Sequence, residues 1–240
     1  MTFAFLDDVS ERGVRERRFD IAVDGRTVPG IVWTPADSPA GARGLVLVGH
    51  GYTLHKREGY VLSLARRLVR HHGVAAVAID FPCHGDRASS DMWWTDQATD
   101  DTVAEWTAVL DAAQAQPDIG ADVPVGYWGF SMGTIFGLPF VAEEARISVA
   151  VLGLMGIAGP TKDRIEKAAR SLPADLPLLF VLQRDDELFS LPASIELFDA
   201  FATSDKRMHL NVGLHAGVPL DEFDYTEAFL ARHLLAHTGS

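Results

Sequence analysis

Ser131 has the surroundings that nucleophilic chemistry requires. It sits in Gly129-Phe130-Ser131-Met132-Gly133, after the apolar run 123–128 and before a segment, 134–144, that reads as a helix. A serine with glycine at both second neighbours, set between a strand and a helix, is the pattern of a nucleophile elbow. The turn is tight enough that small flanking residues are needed for strand and helix to approach. A serine hydroxyl is a weak nucleophile until a base takes its proton, and that base needs an acid to hold its tautomer. Of nine histidines, His215 is the expected base. It follows the last apolar strand in a turn of small residues, Val212-Gly213-Leu214-His215-Ala216-Gly217. His209 is the rival, but it alternates with Met208, Leu210 and Val212 inside a strand, where a structural role fits better. His71, His72, His233 and His237 lie near helix ends and read as solvated. The acid is expected between serine and base, where Gln183-Arg184-Asp185-Asp186-Glu187 leaves a strand and offers three carboxylates.

An attack by Ser131 on a carbonyl makes an oxyanion, which must meet preorganised donors worth roughly 3–4 kcal/mol each. One is the N–H of Met132, at the positive end of the elbow helix. The other is expected in His50-Gly51-Tyr52, where the Tyr52 N–H is the candidate and His50 reads as a residue that braces the loop.

These loops need a scaffold. Segments 14–23 and 27–34 read as two strands joined by Asp24-Gly25, a tight-hairpin dipeptide. Short apolar runs without alternation at 45–48, 75–80, 147–154 and 178–182 read as strands buried on both faces. Helical spacing covers 58–70, closed by Gly73, and 100–116, stopped by Pro117. Further helices are predicted over 161–171, 190–203 and 221–236, with a last strand at 208–212. Strand and helix alternate from Leu45 onward, the pattern of a mainly parallel sheet covered on both faces. In such sheets reactive groups gather beyond the carboxyl ends of the strands. The four loops 49–56, 129–133, 183–191 and 213–219 meet that condition.

The 240 residues with 48% hydrophobic content suit one α/β domain over 1–240. A formal net charge of -12 argues against nucleic acid and anionic membrane surfaces as partners. The single cysteine, Cys83, excludes an intramolecular disulfide and a cysteine-based zinc site. No stretch reaches the roughly 18 apolar residues of a membrane helix. The acidic N-terminal segment lacks a secretory pattern, so a cytoplasmic location is expected. His50, His55, Asp80, His84 and Asp86 crowd two neighbouring loops, but no spacing among them matches a ligand motif, and no metal or cofactor is expected. Residues 153–159 lack the strand-to-helix context of a phosphate loop. Cys83 has no elbow to make it a nucleophile.

Together the motifs His50-Gly51-Tyr52-Thr53, Asp80-Phe81-Pro82-Cys83-His84-Gly85-Asp86, the Ser131 elbow, the 183–190 loop and the His215 loop resemble the α/β-hydrolase superfamily from about Thr27 onward. The resemblance implies an α/β-hydrolase fold with a mainly parallel central sheet, an N-terminal antiparallel hairpin and helices on both faces. The run 183–190 resembles that superfamily's Gly-x-x-Asp-x-x-Val-Pro segment and aligns Asp186 with the acid, Asp185 being the alternative. The order Ser131, Asp186, His215 is the one the superfamily uses. Cys83 stands where glycine is usual, and Arg87 where serine often is. Within the superfamily the chain is similar to small bacterial serine esterases and the dienelactone-hydrolase-like group, and the 50–56 run resembles feruloyl-type esterases. True dienelactone hydrolases carry cysteine where Ser131 stands. The expected activity is cleavage of small-molecule carboxylic esters of small or medium acyl groups. Acyltransfer, thioester or C–C hydrolysis on the same three residues, or binding without catalysis, are the alternatives. Only residues 155–177 separate the strand after the elbow helix from the acid-bearing strand, which predicts a minimal lid. Tyr52, His55, Trp93, Trp94, Met132, Met155 and Phe189 are the candidate substrate wall. Oligomeric state is open.

Overall fold

Unalternated apolar runs become the inner strands because helices cover both sheet faces and no strand residue there meets water. The computed structural model describes residues 1–36, 38–89 and 95–236. In chain order the strands are β1 (Ala4–Phe5), β2 (Val9–Glu11), β3 (Val14–Val23), β4 (Arg26–Pro35), β5 (Leu45–Gly49), β6 (Ala75–Ile79), β7 (Val125–Phe130), β8 (Ile147–Gly153), β9 (Leu178–Gln183) and β10 (Lys206–Asn211). The helices are α1 (Gly59–Arg67), α2 (Asp96–Gln114), α3 (Met132–Glu143), α4 (Lys162–Arg170), α5 (Leu191–Ala200) and α6 (Leu220–Leu235).

Among the described residues the strands form one sheet in the order β1-β3-β4-β6-β5-β7-β8-β9-β10, with β2 pairing β3. β5 to β10 pair in parallel, and β3 and β4 are antiparallel. The Asp24-Gly25 hairpin is as expected, both residues taking positive φ (48° and 79°) as a two-residue turn that continues the strand twist requires. All residues of β5, β6, β7 and β9 are buried. β10 closes the sheet and is partly exposed, with Lys206 and Arg207 on its edge, where charge discourages pairing with another chain.

Side chains of each inner strand alternate between two apolar layers. Leu45 and Leu47 face Trp106, Val109, Phe136, Phe140, Ile165 and Leu197 from α2 to α5. Val46 and Val48 face Val61, Leu64, Leu68, Phe229 and Leu230 from α1, the turn that follows it, and α6.

Three local features depart from the reading of the sequence. β1 and β2 are two- and three-residue exposed strands, too short for an alternation pattern to show. α2 starts at Asp96 rather than 100, because Thr95 caps it by accepting the Ala98 N–H at 3.1 Å. α1 passes at its end into a single π turn, Leu68–His72, before Gly73 (φ 67°) terminates it. Since β5, β7, β9 and β10 run in parallel, their carboxyl ends lie along one edge. The loops after them meet there.

Candidate active site

Ser131 occupies the turn between β7 and α3 with φ 55° and ψ -118°, a strained backbone that a non-glycine residue holds only when its surroundings impose it. A Cβ at Gly129 would stand 2.6 Å from the Gly133 carbonyl oxygen, and one at Gly133 would stand 2.9 Å from that of Gly49. The glycines are therefore required by close approach, and the closeness brings the loop after β5 against the elbow. The strain is held by hydrogen bonds. Ser131 N–H donates to Gly153 C=O at 2.9 Å. The buried Thr134 hydroxyl contacts the carbonyls of Gly153 and Gly129 at 2.7 and 2.9 Å and accepts the Gly153 N–H at 2.9 Å.

Ser131 Oγ lies 2.9 Å from His215 Nε2, and His215 Nδ1 lies 2.7 Å from Asp186 Oδ2. A carboxylate only accepts, so His215 carries its proton on Nδ1, and Nε2 is left to accept from the serine. The second oxygen of Asp186 accepts the N–H groups of Leu188 and Phe189 at 2.8 and 2.9 Å, which fixes the carboxylate plane. Asp185 points elsewhere, ion-paired with the Arg184 guanidinium, which holds its carboxyl below the usual range. Glu187 accepts the His215 backbone N–H at 2.8 Å, so the 183–191 loop grips the 213–219 loop twice. His209, the rival base, lies on β10 and binds Glu222 at 2.9 Å.

Across the elbow, burial lowers the His50 pKa to about 4 and keeps its ring neutral. Its Nε2 accepts the Phe81 N–H at 3.0 Å, so its Nδ1–H donates to Gly51 C=O at 2.8 Å. Peptide planarity then turns the Tyr52 N–H away from His50. The Gly51 N–H is held by the Tyr60 hydroxyl at 2.8 Å. Met132 is the first residue of α3, where an N–H has no partner within the helix. Lys56, buried, has its ammonium against Asp80 and at 2.7 Å from Asp86. The acids that crowd these two loops therefore already hold a cationic side chain.

Ser131 and His215 open into a cavity of about 520 Å³. Its walls are mainly apolar, from Leu54, Tyr60, Trp128, Phe130, Leu154, Val218 and Phe223, with Glu58 and Glu187 among its lining.

The sequence model of the alpha/beta hydrolase family matches residues 45–237. The chain belongs to the alpha/beta hydrolase family. Among solved structures it is similar to a cold-adapted esterase from an Arctic intertidal metagenomic library. The PEG-bound complex of that esterase is 38% identical, with TM-score 0.85 over 98% of this chain and 100% of that one. Its zinc-bound structure gives 36% identity and TM-score 0.80 with the same coverage. An esterase from Pyrococcus furiosus shares the fold at 17% identity and TM-score 0.71, over 97% of this chain and 94% of that one. No curated protein matches.

Where the sequence has cysteine instead of the superfamily's usual glycine, Cys83 takes φ 63°, the left-handed region that glycine adopts most readily. Of the candidate wall, Tyr52 lines the cavity and is half exposed, while Met132 is fully buried beneath the elbow. Two of the wall candidates lie away from the cavity. Met155 is 1% exposed and packs into the α2–α5 layer, because the chain turns inward after β8. His55 faces solvent and pairs with Glu58 at 3.3 Å, because Lys56 is the residue drawn inward by Asp80. The Phe189 ring lies 5.9 Å from that of His215. Trp93 and Trp94 lie outside the described residues. The aromatic walls Tyr60 and Phe223 were not singled out in the sequence, because on α1 and α6 they continue the same apolar spacing as core residues. Among the described residues no helix is long and apolar enough to cross a membrane.

Proposed function

We propose that the protein is a serine hydrolase that cleaves carboxylic esters of small or medium acyl groups. The observation that carries this reading is the unbroken hydrogen-bond chain Ser131 Oγ–His215–Asp186 at the mouth of an apolar cavity. Its similarity to the Arctic esterase, over nearly the whole of both chains, supports it. Ser131 attacks the ester carbonyl while His215 Nε2 takes its proton. Asp186 holds the imidazole and stabilises its charged form, and the N–H groups of Tyr52 and Met132 receive the oxyanion. His215 returns the proton to the leaving alcohol, then activates a water that hydrolyses the acyl-enzyme. Among the described residues lining the cavity there is no lysine or arginine, while Glu58 and Glu187 are present, so neutral acyl groups are favoured over anionic ones.

A panel of p-nitrophenyl acetate, butyrate, decanoate and monosuccinate, with feruloyl, lactone and thioester substrates, tests this. Acetate and butyrate esters should turn over fastest and the monosuccinate slowly, and Ser131→Ala should abolish turnover. Activity retained by Ser131→Ala, or an absence of ester hydrolysis across the panel, would overturn the proposal.

A further inference from the structure

Consecutive residues on an α-helix point about 100° apart and do not ordinarily reach one ligand. At the end of α1 the backbone is different. The π turn Leu68–His72 and the left-handed Gly73 reshape the last turn. There His71 Nδ1 and His72 Nε2 lie 2.8 and 3.0 Å from the same atom, Glu227 Oε1 of α6. These three atoms all lie within 4.8 Å of one another.

We propose that His71, His72 and Glu227 form a divalent-cation site, suited to Zn²⁺, that clamps the end of α1 to α6. Two imidazole nitrogens and one carboxylate oxygen are a donor set that zinc and its neighbours accept. Tetrahedral zinc with bonds of about 2.0–2.1 Å sets its ligand atoms about 3.3 Å apart. The two imidazole nitrogens need to draw back from Glu227 by a few tenths of an ångström and, from a separation of up to 4.8 Å, to close on one another. The Glu227 side chain is 4% exposed, which makes its charge costly without a full set of partners. Its Oε2 is buried and ion-paired with Arg67, whose Nε stands 2.5 Å away, the guanidinium also pairing with Asp224. One carboxylate oxygen thus faces the arginine and the other faces the two histidines. His71 is half exposed, which gives an ion a path and a water to complete four-coordination.

Such a clamp reaches the wall of the cavity. Phe223, which lines the cavity beside Ser131, lies four residues before Glu227 on α6, and Tyr60 lies on α1. Neither histidine touches Ser131, His215 or Asp186, so the ion's effect is on the fixing of α6 and not on the chemical step.

The 240-residue protein, treated with EDTA and desalted, is titrated with Zn²⁺ by calorimetry and with Co²⁺ by visible absorption. The site predicts one equivalent of Zn²⁺, a tetrahedral Co²⁺ spectrum and a thermal midpoint that rises with Zn²⁺. His71→Ala and His72→Gln should each weaken Zn²⁺ binding about tenfold or more and remove the thermal shift. Both are at the surface or near it, and circular dichroism of the same samples reports whether they stay folded. No binding, or Zn²⁺ bound equally by the double variant, would overturn the proposal. Loss of ester hydrolysis is read separately, because it bears on Ser131 alone.

Discussion

Replacing Asp186 by Asn changes one atom, and its consequence can be worked out from the hydrogen bonds. Oδ1 of Asp186 accepts two backbone N–H groups, from Leu188 and Phe189, and Oδ2 accepts from His215. An asparagine must keep its amide oxygen on the two N–H donors, because turning its NH₂ toward them would oppose donor to donor. The NH₂ then faces His215 Nδ1, which must accept. The ring consequently carries its proton on Nε2 and can no longer take one from Ser131. The geometry survives in the wrong tautomer. That defect elsewhere lowers kcat by about 10⁴, equivalent to about 5.5 kcal/mol of transition-state stabilisation. Because no substrate contact is lost, KM should stay near its original value. Steady-state hydrolysis of p-nitrophenyl butyrate, with folding checked by circular dichroism, reads both parameters. Asp185→Asn, on a side chain paired with Arg184 and turned away from His215, should change kcat little. A folded Asp186→Asn within tenfold of the original kcat, or a larger loss in Asp185→Asn, would refute the reasoning.

Two further outcomes concern the loop that presents Tyr52. Lys56→Met should destabilise the protein by about 3–5 kcal/mol in urea unfolding, because it leaves the fully buried Asp80 without its cationic partner. A loss below 1 kcal/mol would contradict this, that being about the value of an exposed pair. His50 is held neutral by burial, its pKa lowered from 6.5 to about 4, so below about pH 6.5 the unfolded chain binds a proton that the folded one does not. Its contribution is therefore intact above pH 6.5 and is lost as pH falls toward 4, by about 3 kcal/mol in all. His50→Gln should lose correspondingly less stability between pH 7 and 4.5 than the original protein, and parallel losses would count against the assignment.

The parts of the site that were legible in the sequence are those whose signal is local. The glycines around Ser131 mark an elbow because a Cβ on either would stand within three ångströms of backbone. His215 and Asp186 each follow a strand directly, so their positions were readable from strand ends. Preferring Asp186 to Asp185 rests on the resemblance of 183–190 to the superfamily's segment, because position after a strand does not separate neighbouring carboxylates that differ only in which way the loop turns them. The walls were harder to read. Tyr60 and Phe223 obey the same helical spacing as core residues, and only the packing of α1 and α6 against the end of β7 brings them to Ser131. His71 and His72 read as solvated because their partner, Glu227, lies about 155 residues further along the chain. The fold was more legible than the site's surroundings, since unalternated runs such as Leu45–Gly49 and Leu178–Gln183 admit few arrangements other than buried parallel strands.

Everything proposed for the reaction depends on Ser131 being a nucleophile that His215 activates. A fluorophosphonate probe applied to the folded protein, followed by peptide mass spectrometry, tests this most directly. One adduct per chain is predicted, on Ser131, formed rapidly in the original protein, slowly in His215→Ala and not at all after denaturation. An unlabelled Ser131 in the folded protein, or labelling that is as fast without His215, would contradict the account.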